Sequence, residues 1–361
     1  LNVLFLLKGL SNFAIMNLFK NIVFCFVILL FAACNSNNNA VSSYLFNRDS
    51  FKTHRLDQSI FKLDTNHLVT GLLELKKQYP TFLPFYLDTL MGFGVYNNYT
   101  DTSTAIQQGV RKLLTNHDFR GLFDTILQRY PSTNTIDEEL INAFQNHKKL
   151  FPSFKIPQVI YFNSNLNNWG AITYQDSLHS FVGIGLDMFL GSQFPYYASI
   201  GVPSYASAFY TAEFIPVAVM KALYLDLATA SSKASSLAEI MIEKGIEQCY
   251  LESVLPNTSA ALRLLYTDAQ WEWCEQEEAS IYNYFIKENL LYEKNRNLIV
   301  NYIQEGPTTI GMPAESPGNI TAYLGYKIVK AYLSKYPKTT IQQLITSKNK
   351  LTILTSAGYN P

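Results

Sequence analysis

Residues 213–226 form the segment that most limits how this chain can fold. Apolar side chains occupy almost every position around the helix that this segment predicts, from Phe214 to Leu223. A helix that is apolar on nearly all sides is stable only when other elements cover it. The sequence therefore predicts a helix buried near the centre of a globular fold.

Most of the remaining globular sequence also has a helical pattern. Apolar residues between Asp57 and Leu75 recur at three- and four-residue intervals, which predicts one amphipathic helix that Pro80 terminates. Further helices are predicted at residues 83–92, 102–115, 119–129, 136–150, 236–254, 268–289 and 317–335. Pro317 suits the first position of the last helix, and Ser316 suits its N-cap.

Three short segments in the middle of the chain predict strands, at residues 155–162, 171–174 and 181–189. They are rich in β-branched and aromatic residues and are separated by turns rich in Asn and Ser. Because their connections are too short for helical crossovers, we expect a small antiparallel sheet. The expected fold class is α+β, a predominantly helical single domain, with two subdomains divided near Phe151 as the alternative.

The first 33 residues differ from the rest of the chain. Lys8 and Lys20 are their only charged side chains, and residues 22–31 are an uninterrupted apolar run. That run is shorter than the roughly 20 residues a membrane-spanning helix needs. The pattern predicts a signal peptide at residues 16–33, with residues 1–15 as an upstream artefact of start-site assignment. A single long hydrophobic anchor is the alternative, although Lys20 interrupts it.

Residues 30–34 resemble the lipobox of bacterial lipoproteins, in which small residues precede a Cys that is acylated before cleavage. Phe31 departs from that pattern, because a smaller aliphatic residue is usual there. The resemblance implies that Cys34 carries the lipid, followed by a polar tether to residue 45 and a globular domain over residues 46–361. Several acyl chains together anchor a protein stably to a membrane.

Charge and motif content argue against several classes of function. The chain has 28 Lys+Arg and 28 Asp+Glu, so it lacks the basic excess typical of nucleic-acid-binding proteins. No two of its five histidines lie four residues apart, which excludes the zinc-peptidase motif HExxH. Phosphate-binding loops and the nucleophile elbow GxSxG are also absent. We therefore expect no catalytic residue, no metal and no cofactor.

Two cysteines of the globular part, Cys249 and Cys274, lie on segments that predict separate helices. A disulfide between them suits an exported protein. Two unrelated buried thiols are the favoured state.

Four charged residues form a candidate polar site. Glu275 and Glu278 fall within the apolar stripe of the helix predicted at 268–289, and Lys327 has the same anomalous position on the helix predicted at 317–335. A charge in such a stripe must be paired, hydrogen-bonded or neutralised, so we expect an ion pair between the two helices. A structural role is favoured over a general acid/base pair. Asp187 follows two glycines and either faces a cleft or caps a turn, of which the second is the usual role.

Several longer strings together resemble the family of the gliding-motility lipoprotein GldB. They are Arg55–Asp57, Ile60–Asp64, Tyr79–Phe82, Gly183–Gly191, Pro195–Tyr197, Trp271–Glu275 with Glu278, Glu305–Pro307, Glu315–Gly318 and Ala357–Pro361. The resemblance implies an envelope lipoprotein required for gliding, on the periplasmic face of the outer membrane, with gliding and type IX secretion proteins as partners. It also implies a distant, zincin-like likeness to predicted zinc peptidases. Because residues 213–226 contain no His, no catalytic residue is carried over.

Three functions remain open at this level. The first is a non-catalytic component that assembles or stabilises an envelope motility and secretion apparatus. The second is a module that binds peptide or glycan in a groove lined by Tyr and Phe. The third is a degenerate zinc-peptidase-like hydrolase that uses carboxylates such as Glu275 and Glu278.

Overall fold

Helices surround a small sheet in the computed structural model, which describes residues 51–94, 103–175, 180–228 and 236–361. The predicted signal peptide, Cys34 and the tether up to residue 45 lie outside the described residues. The described residues belong to one compact unit, so the alternative division near Phe151 is wrong. No helix among them is both long and apolar enough to span a membrane.

The elements follow one another along the chain in this order. The strands are β1 (Thr53–Arg55), β2 (Gln158–Phe162), β3 (Ala171–Gln175) and β4 (Ser180–Gly185). The helices of the first half are α1 (Leu56–Phe61), α2 (Leu68–Gln78), α3 (Phe82–Phe85, continued by a π-helical turn over Tyr86–Leu90), α4 (Thr104–Thr115), α5 (His117–Arg129) and α6 (Asn134–Leu150). Those of the second half are α7 (Tyr196–Ser199), α8 (Ser204–Ser207), α9 (Ile215–Ala228), α10 (Leu237–Val254), α11 (Ala260–Leu264), α12 (Asp268–Gln276), α13 (Glu278–Lys287), α14 (Arg296–Ile303), α15 (Ile320–Lys335), α16 (Ile341–Thr346) and α17 (Lys350–Ala357).

The sheet is mixed, with the strand order β1-β2-β4-β3. Strands β1, β2 and β4 are parallel, and only β3 runs antiparallel to its neighbour β4. The predicted antiparallel sheet is therefore wrong for two of these three pairings. Strand β3 forms a hairpin with β4 and returns the chain, so that β4 pairs with β2 in the parallel direction. The short β1, which the sequence did not predict, adds the third parallel strand.

Aromatic side chains join this sheet to the N-terminal helices. The Phe82 ring of α3 lies 4.8 Å from Phe181 and 5.7 Å from Phe162, measured between centroids. The Tyr86 hydroxyl donates to the Asn163 carbonyl at the end of β2, at 2.8 Å. Such aromatic pairs add directional contacts to the burial of large apolar surfaces. They hold α3 against the sheet.

The helix predicted over residues 57–75 is two helices, α1 and α2, separated by a turn. Asp64 makes that turn, because one of its carboxylate oxygens accepts the Asn66 amide at 2.8 Å and the other lies 2.7 Å from His67 Nδ1. An Asp side chain that bonds to nearby backbone in this way competes with helix formation. The apolar periodicity of the sequence continues across this turn, so it does not reveal where α1 ends and α2 begins.

Two later helix boundaries also differ from the prediction. The helix predicted over 268–289 breaks at Glu277 into α12 and α13. The last strong helix begins at Ile320, and the proposed cap is wrong. Ser316 Oγ instead accepts the Thr309 amide at 3.2 Å, and the Pro317 carbonyl accepts the Thr309 hydroxyl at 2.6 Å. Both residues therefore close the loop before α15.

The central pair of helices is α10 and α15, which cross at very short distance. Helix α9, predicted as the buried centre, packs against β3, α6 and α10. Its first half is buried, but Leu225 is 57% exposed. The all-round apolar pattern thus predicts burial correctly for the first two turns of α9 only.

Candidate functional site

The candidate polar site lies where α12 and α13 meet α15. Lys327 Nζ lies 3.1 Å from Glu275 Oε1 and 2.9 Å from Glu278 Oε2. The ion pair expected between these helices is therefore present, with one ammonium bridging two carboxylates. That these residues form a functional site stays a prediction.

The three side chains are less buried than the apolar stripe predicts. Lys327 is 26% exposed, Glu275 is 41% exposed and Glu278 is 20% exposed. The single stripe predicted over residues 268–289 is interrupted, because α12 ends at Gln276 and α13 begins at Glu278. On α13 the buried positions are Ile281 and Phe285. The carboxylates consequently lie at the edge of the interface, where water reaches them.

Two tyrosines complete the cluster. The Tyr323 hydroxyl, one turn before Lys327 on α15, lies 3.0 Å from Glu275 Oε1 and 3.1 Å from Glu278 Oε2. The Tyr359 hydroxyl donates to Glu278 Oε1 at 2.7 Å. Both oxygens of Glu278 therefore have a partner. We refer to Glu275, Glu278, Tyr323, Lys327 and Tyr359 as the charge cluster.

Sequence reasoning missed both tyrosines. Tyr323 lies four residues before Lys327, on the face of the predicted helix that is otherwise mostly apolar, so its hydroxyl gave no separate signal. Tyr359 follows Gly358, which ends α17 with a φ of 66°. Glycine adopts this left-handed conformation without strain, so the chain can turn at that point. The contact with Glu278 spans 81 residues, and no local signal could reveal it.

The electrostatics of the charge cluster are those of two carboxylates that share one ammonium. Burial alone raises the pKa of Glu278, but hydrogen bonds from Lys327, Tyr359 and Tyr323 hold that pKa below its usual range. Burial lowers the pKa of Lys327, yet its two carboxylate partners raise that pKa above the ordinary value. Burial together with the carboxylates raises the pKa of both phenols.

These shifts bear on what the charge cluster can do chemically. A carboxylate with a lowered pKa is a weak base, and an ammonium or phenol with a raised pKa is a weak acid. A general acid or base works best when its pKa is close to the operating pH. The pKa values of Glu278, Lys327 and the two phenols all move away from neutrality, which is the opposite of the tuning that a general acid or base needs.

Asp187 lies elsewhere, in the 3₁₀ turn of residues 186–189 that follows β4, and it caps a neighbouring turn. Its Oδ1 accepts the Ser164 amide at 2.7 Å, while Oδ2 accepts the Ser164 hydroxyl at 2.6 Å and the Leu166 amide at 2.7 Å. The side chain is fully buried, and this desolvation raises the pKa of its carboxyl despite the three donors. Among the described residues, no hydrogen bond or ion pair joins Asp187 to the charge cluster.

The turn that Asp187 caps has a strained backbone. Asn165 and Leu166 have φ values of 56° and 59°. Leu rarely adopts this left-handed conformation, which surrounding contacts must impose. The three hydrogen bonds that Asp187 accepts supply such contacts at the carboxyl end of β2.

A polar cleft of about 340 Å³ lies between α6 and the segment that follows α10. It is lined by Glu139, Asn142, Ala143, Asn146, Glu213, Val254, Leu255, Pro256, Asn257, Thr258, Ser259 and Leu262. Burial raises the pKa of Glu139, and the nearby Glu213 raises it further. The lining contains no aromatic side chain, so this cleft is not the groove of Tyr and Phe that the binding-module hypothesis requires.

The remaining site predictions concern cysteines and metals. Cys249 and Cys274 are free, buried thiols, as favoured. Within the described ranges, no group of three or more His, Cys, Asp or Glu side chains is arranged to hold a metal ion. The predicted lipid attachment at Cys34 lies outside those ranges and stays a prediction.

Comparison with known proteins places the chain in a family. The model of the family described as gliding motility protein GldB matches residues 35–361. No curated protein and no solved structure matches the chain. The family model covers all of the residues after Cys34, including the charge cluster, Asp187 and the polar cleft. The chain therefore belongs to the GldB family of gliding motility lipoproteins.

Proposed function

We propose that this protein is a lipid-anchored, non-catalytic component of the cell envelope that assembles or stabilises the gliding apparatus and its associated type IX secretion machinery. Membership of the GldB family, whose model matches residues 35–361, is the observation that supports a role in gliding motility. The lipobox-like residues 30–34 support acylation of Cys34, and with it attachment to the periplasmic face of the outer membrane.

The state of the charge cluster supports the non-catalytic role. Lys327 is held between two carboxylates, and Glu278 has a hydrogen-bond partner on each oxygen. Groups satisfied by one another in this way are poorly placed to receive a proton from a substrate. The proposal is therefore that they fix the positions of α13, α15 and the C-terminal segment.

Complementation of a non-gliding deletion strain tests the proposal. We expect Cys34→Ala to abolish gliding, because it removes the acylated residue. Glu275→Gln and Glu278→Gln should retain gliding wherever the protein still accumulates at the wild-type level. Loss of gliding by a stable, abundant Glu278→Gln protein would favour catalysis over assembly.

Two further measurements separate the functions that remain open. Metal analysis of the purified protein should find no stoichiometric zinc, and one zinc per chain would overturn the non-catalytic role. Purification of the acylated protein from its native envelope should recover gliding or secretion components. Recovery of a peptide or glycan in their place would favour the binding module.

A further inference from the structure

We infer that the surface at which the chain enters the globular domain docks on a membrane of anionic lipids. This entry surface consists of Phe51, Lys52, Lys148, Lys149, Phe154 and Lys155. The inference rests on the lipid anchor proposed above, and it adds to that anchor an orientation of the domain on the membrane.

Aromatic packing joins two segments from distant parts of the chain, each of which carries a lysine. The Phe51 ring lies 6.1 Å from Phe144 on α6, and the Phe154 ring lies 6.0 Å from the same Phe144. Lys52 and Lys155 are the neighbours of these two rings in sequence. The Lys52 carbonyl also accepts the Val159 amide at 2.9 Å, which places Lys52 beside the start of β2.

The end of α6 contributes the other two lysines. Lys148 Nζ donates to the Phe154 carbonyl at 3.2 Å, and Lys149 Nζ donates to Asn146 Oδ1 at 2.9 Å. Cations in the last turn of a helix stabilise it through the macrodipole, which accounts for one part of their presence. It does not account for Lys52 and Lys155, which lie on other elements.

The four ammonium groups are not neutralised by the domain itself. Within the part of the chain that the structure describes, none of them lies within 4 Å of a carboxylate, whereas Lys221, Lys327 and Lys330 all do. Lys52, Lys149 and Lys155 are exposed, and Phe51 and Phe154 are half-buried. Exposed cations around partly exposed aromatic rings are suited to the boundary between lipid headgroups and acyl chains.

The position of the entry surface in the chain identifies the lipid as its partner. Sixteen residues, 35–50, separate Cys34 from Phe51. A chain of that length spans at most about 60 Å, even when fully extended. An anchor on Cys34 therefore keeps this surface near the bilayer, where each Lys gains about a fivefold preference for an anionic surface.

Fluorescence quenching on vesicles tests the inference with the acylated protein that begins at Cys34. A fluorophore on Ser153→Cys reports on the exposed loop between Phe151 and Phe154. The thiols of Cys249 and Cys274 are buried, which directs labelling to residue 153. We expect a quencher carried by the lipid to act in vesicles of phosphatidylethanolamine with 30% phosphatidylglycerol. The effect should be much weaker in phosphatidylcholine vesicles or in 0.5 M NaCl, because salt screens the attraction.

A charge-matched pair of variants makes the test specific. Lys52→Gln, Lys149→Gln and Lys155→Gln together should lower the docking equilibrium about a hundredfold, from three losses of about fivefold each. Lys148 is kept, because it holds the Phe154 carbonyl. The control substitutes the exposed Lys112, Lys287 and Lys338 by Gln, with the same change of charge at other surfaces. Equal losses in both variants, or equal quenching on anionic and neutral vesicles, would overturn the inference.

The mass of the N-terminal peptide separates this inference from the proposed function. An acylated protein without charge-dependent quenching would overturn the inference and leave the lipid anchor standing. A protein without acyl chains would overturn the anchor. Cosedimentation of that protein with the same vesicles would then test the inference. Docking through the lysines does not require acyl chains, so the protein should still bind anionic vesicles. Failure to bind them would refute the inference.

Discussion

Gly245 and Gly325 lie face to face where α10 and α15 cross, so closely that a Cβ atom built on Gly245 would lie 2.1 Å from the Gly325 carbonyl oxygen. A Cβ on Gly325 would lie 1.8 Å from the carbonyl oxygen of Met241. Real Cβ atoms do not approach backbone this closely, so each position excludes every residue except glycine unless the helices separate. Because α15 also carries Lys327, this crossing helps position the charge cluster.

We predict that Gly325→Ala destabilises the protein by about 3 kcal/mol, since the added methyl group forces two packed backbones apart. The free energy of unfolding in urea measures the effect. Gly121→Ala in α5 is the control, because a Cβ there meets nothing within 4 Å. That control should stabilise the protein by about 0.5–1 kcal/mol, through the better helix propensity of Ala. A neutral Gly325→Ala would contradict the close crossing.

We predict that Lys327→Met destabilises the protein by about 1–2 kcal/mol. The substitution keeps the aliphatic packing but leaves Glu275 and Glu278 without their shared cation, at a site between an exposed and a buried ion pair. Lys77→Met is the control, because its pair with Glu74 is exposed. Chemical denaturation should show a several-fold smaller effect for Lys77→Met. Equal effects would mean that Lys327 contributes no more than a surface ion pair.

We predict that Asp187→Ala destabilises the protein by about 3 kcal/mol or more, because it leaves the buried amide of Ser164 and the partly buried amide of Leu166 without acceptors. Asp187→Asn is the matched variant, since its single amide oxygen can still accept one of these bonds. It should cost less than the Ala substitution. Thermal unfolding of both proteins measures the difference, and the reverse order would contradict the role of Asp187 as a turn cap.

We predict that His147 makes stability fall as the pH falls from 6.5 to about 4. Burial lowers the pKa of His147 from 6.5 to about 4, and its Nδ1 lies 2.7 Å from the Tyr250 hydroxyl. The unfolded chain therefore binds a proton in this interval that the folded chain does not, so acid favours unfolding. The free energy of unfolding from pH 4 to pH 8 should lose part of this slope in His147→Gln. An unchanged slope would show that other groups cause it.

Local patterns predicted the elements well where capping and periodicity agree. The helix expected at 236–254 is Leu237–Val254, with Ser236 and Glu239 forming a capping box at its start. The helix expected at 136–150 is Asn134–Leu150. Both depend on hydrogen bonds and side-chain spacing within a few residues, which the sequence records directly.

Predictions failed where distant residues decide the outcome. Ser316 and Pro317 have the residue types of a helix start, yet Thr309 binds both and α15 begins at Ile320. The sequence predicts one straight helix over residues 268–289, whereas the chain breaks at Glu277, between Glu275 and Glu278. In each case a tertiary contact or a change of direction outweighed a local preference.

The sequence by itself determined that the chain is mostly helical, that Glu275, Glu278 and Lys327 require partners, and that the chain resembles the GldB family. These properties depend on residue type, spacing and order, which can be read from the sequence without a structure. Only the tertiary structure decided the parallel pairing of β1, β2 and β4, the crossing at Gly245 and Gly325, and the closure of the charge cluster by Tyr359. Each of these joins segments that are far apart in the chain. Local interactions give alternative pairings and crossings nearly the same energy, and the packing of the whole domain selects one of them.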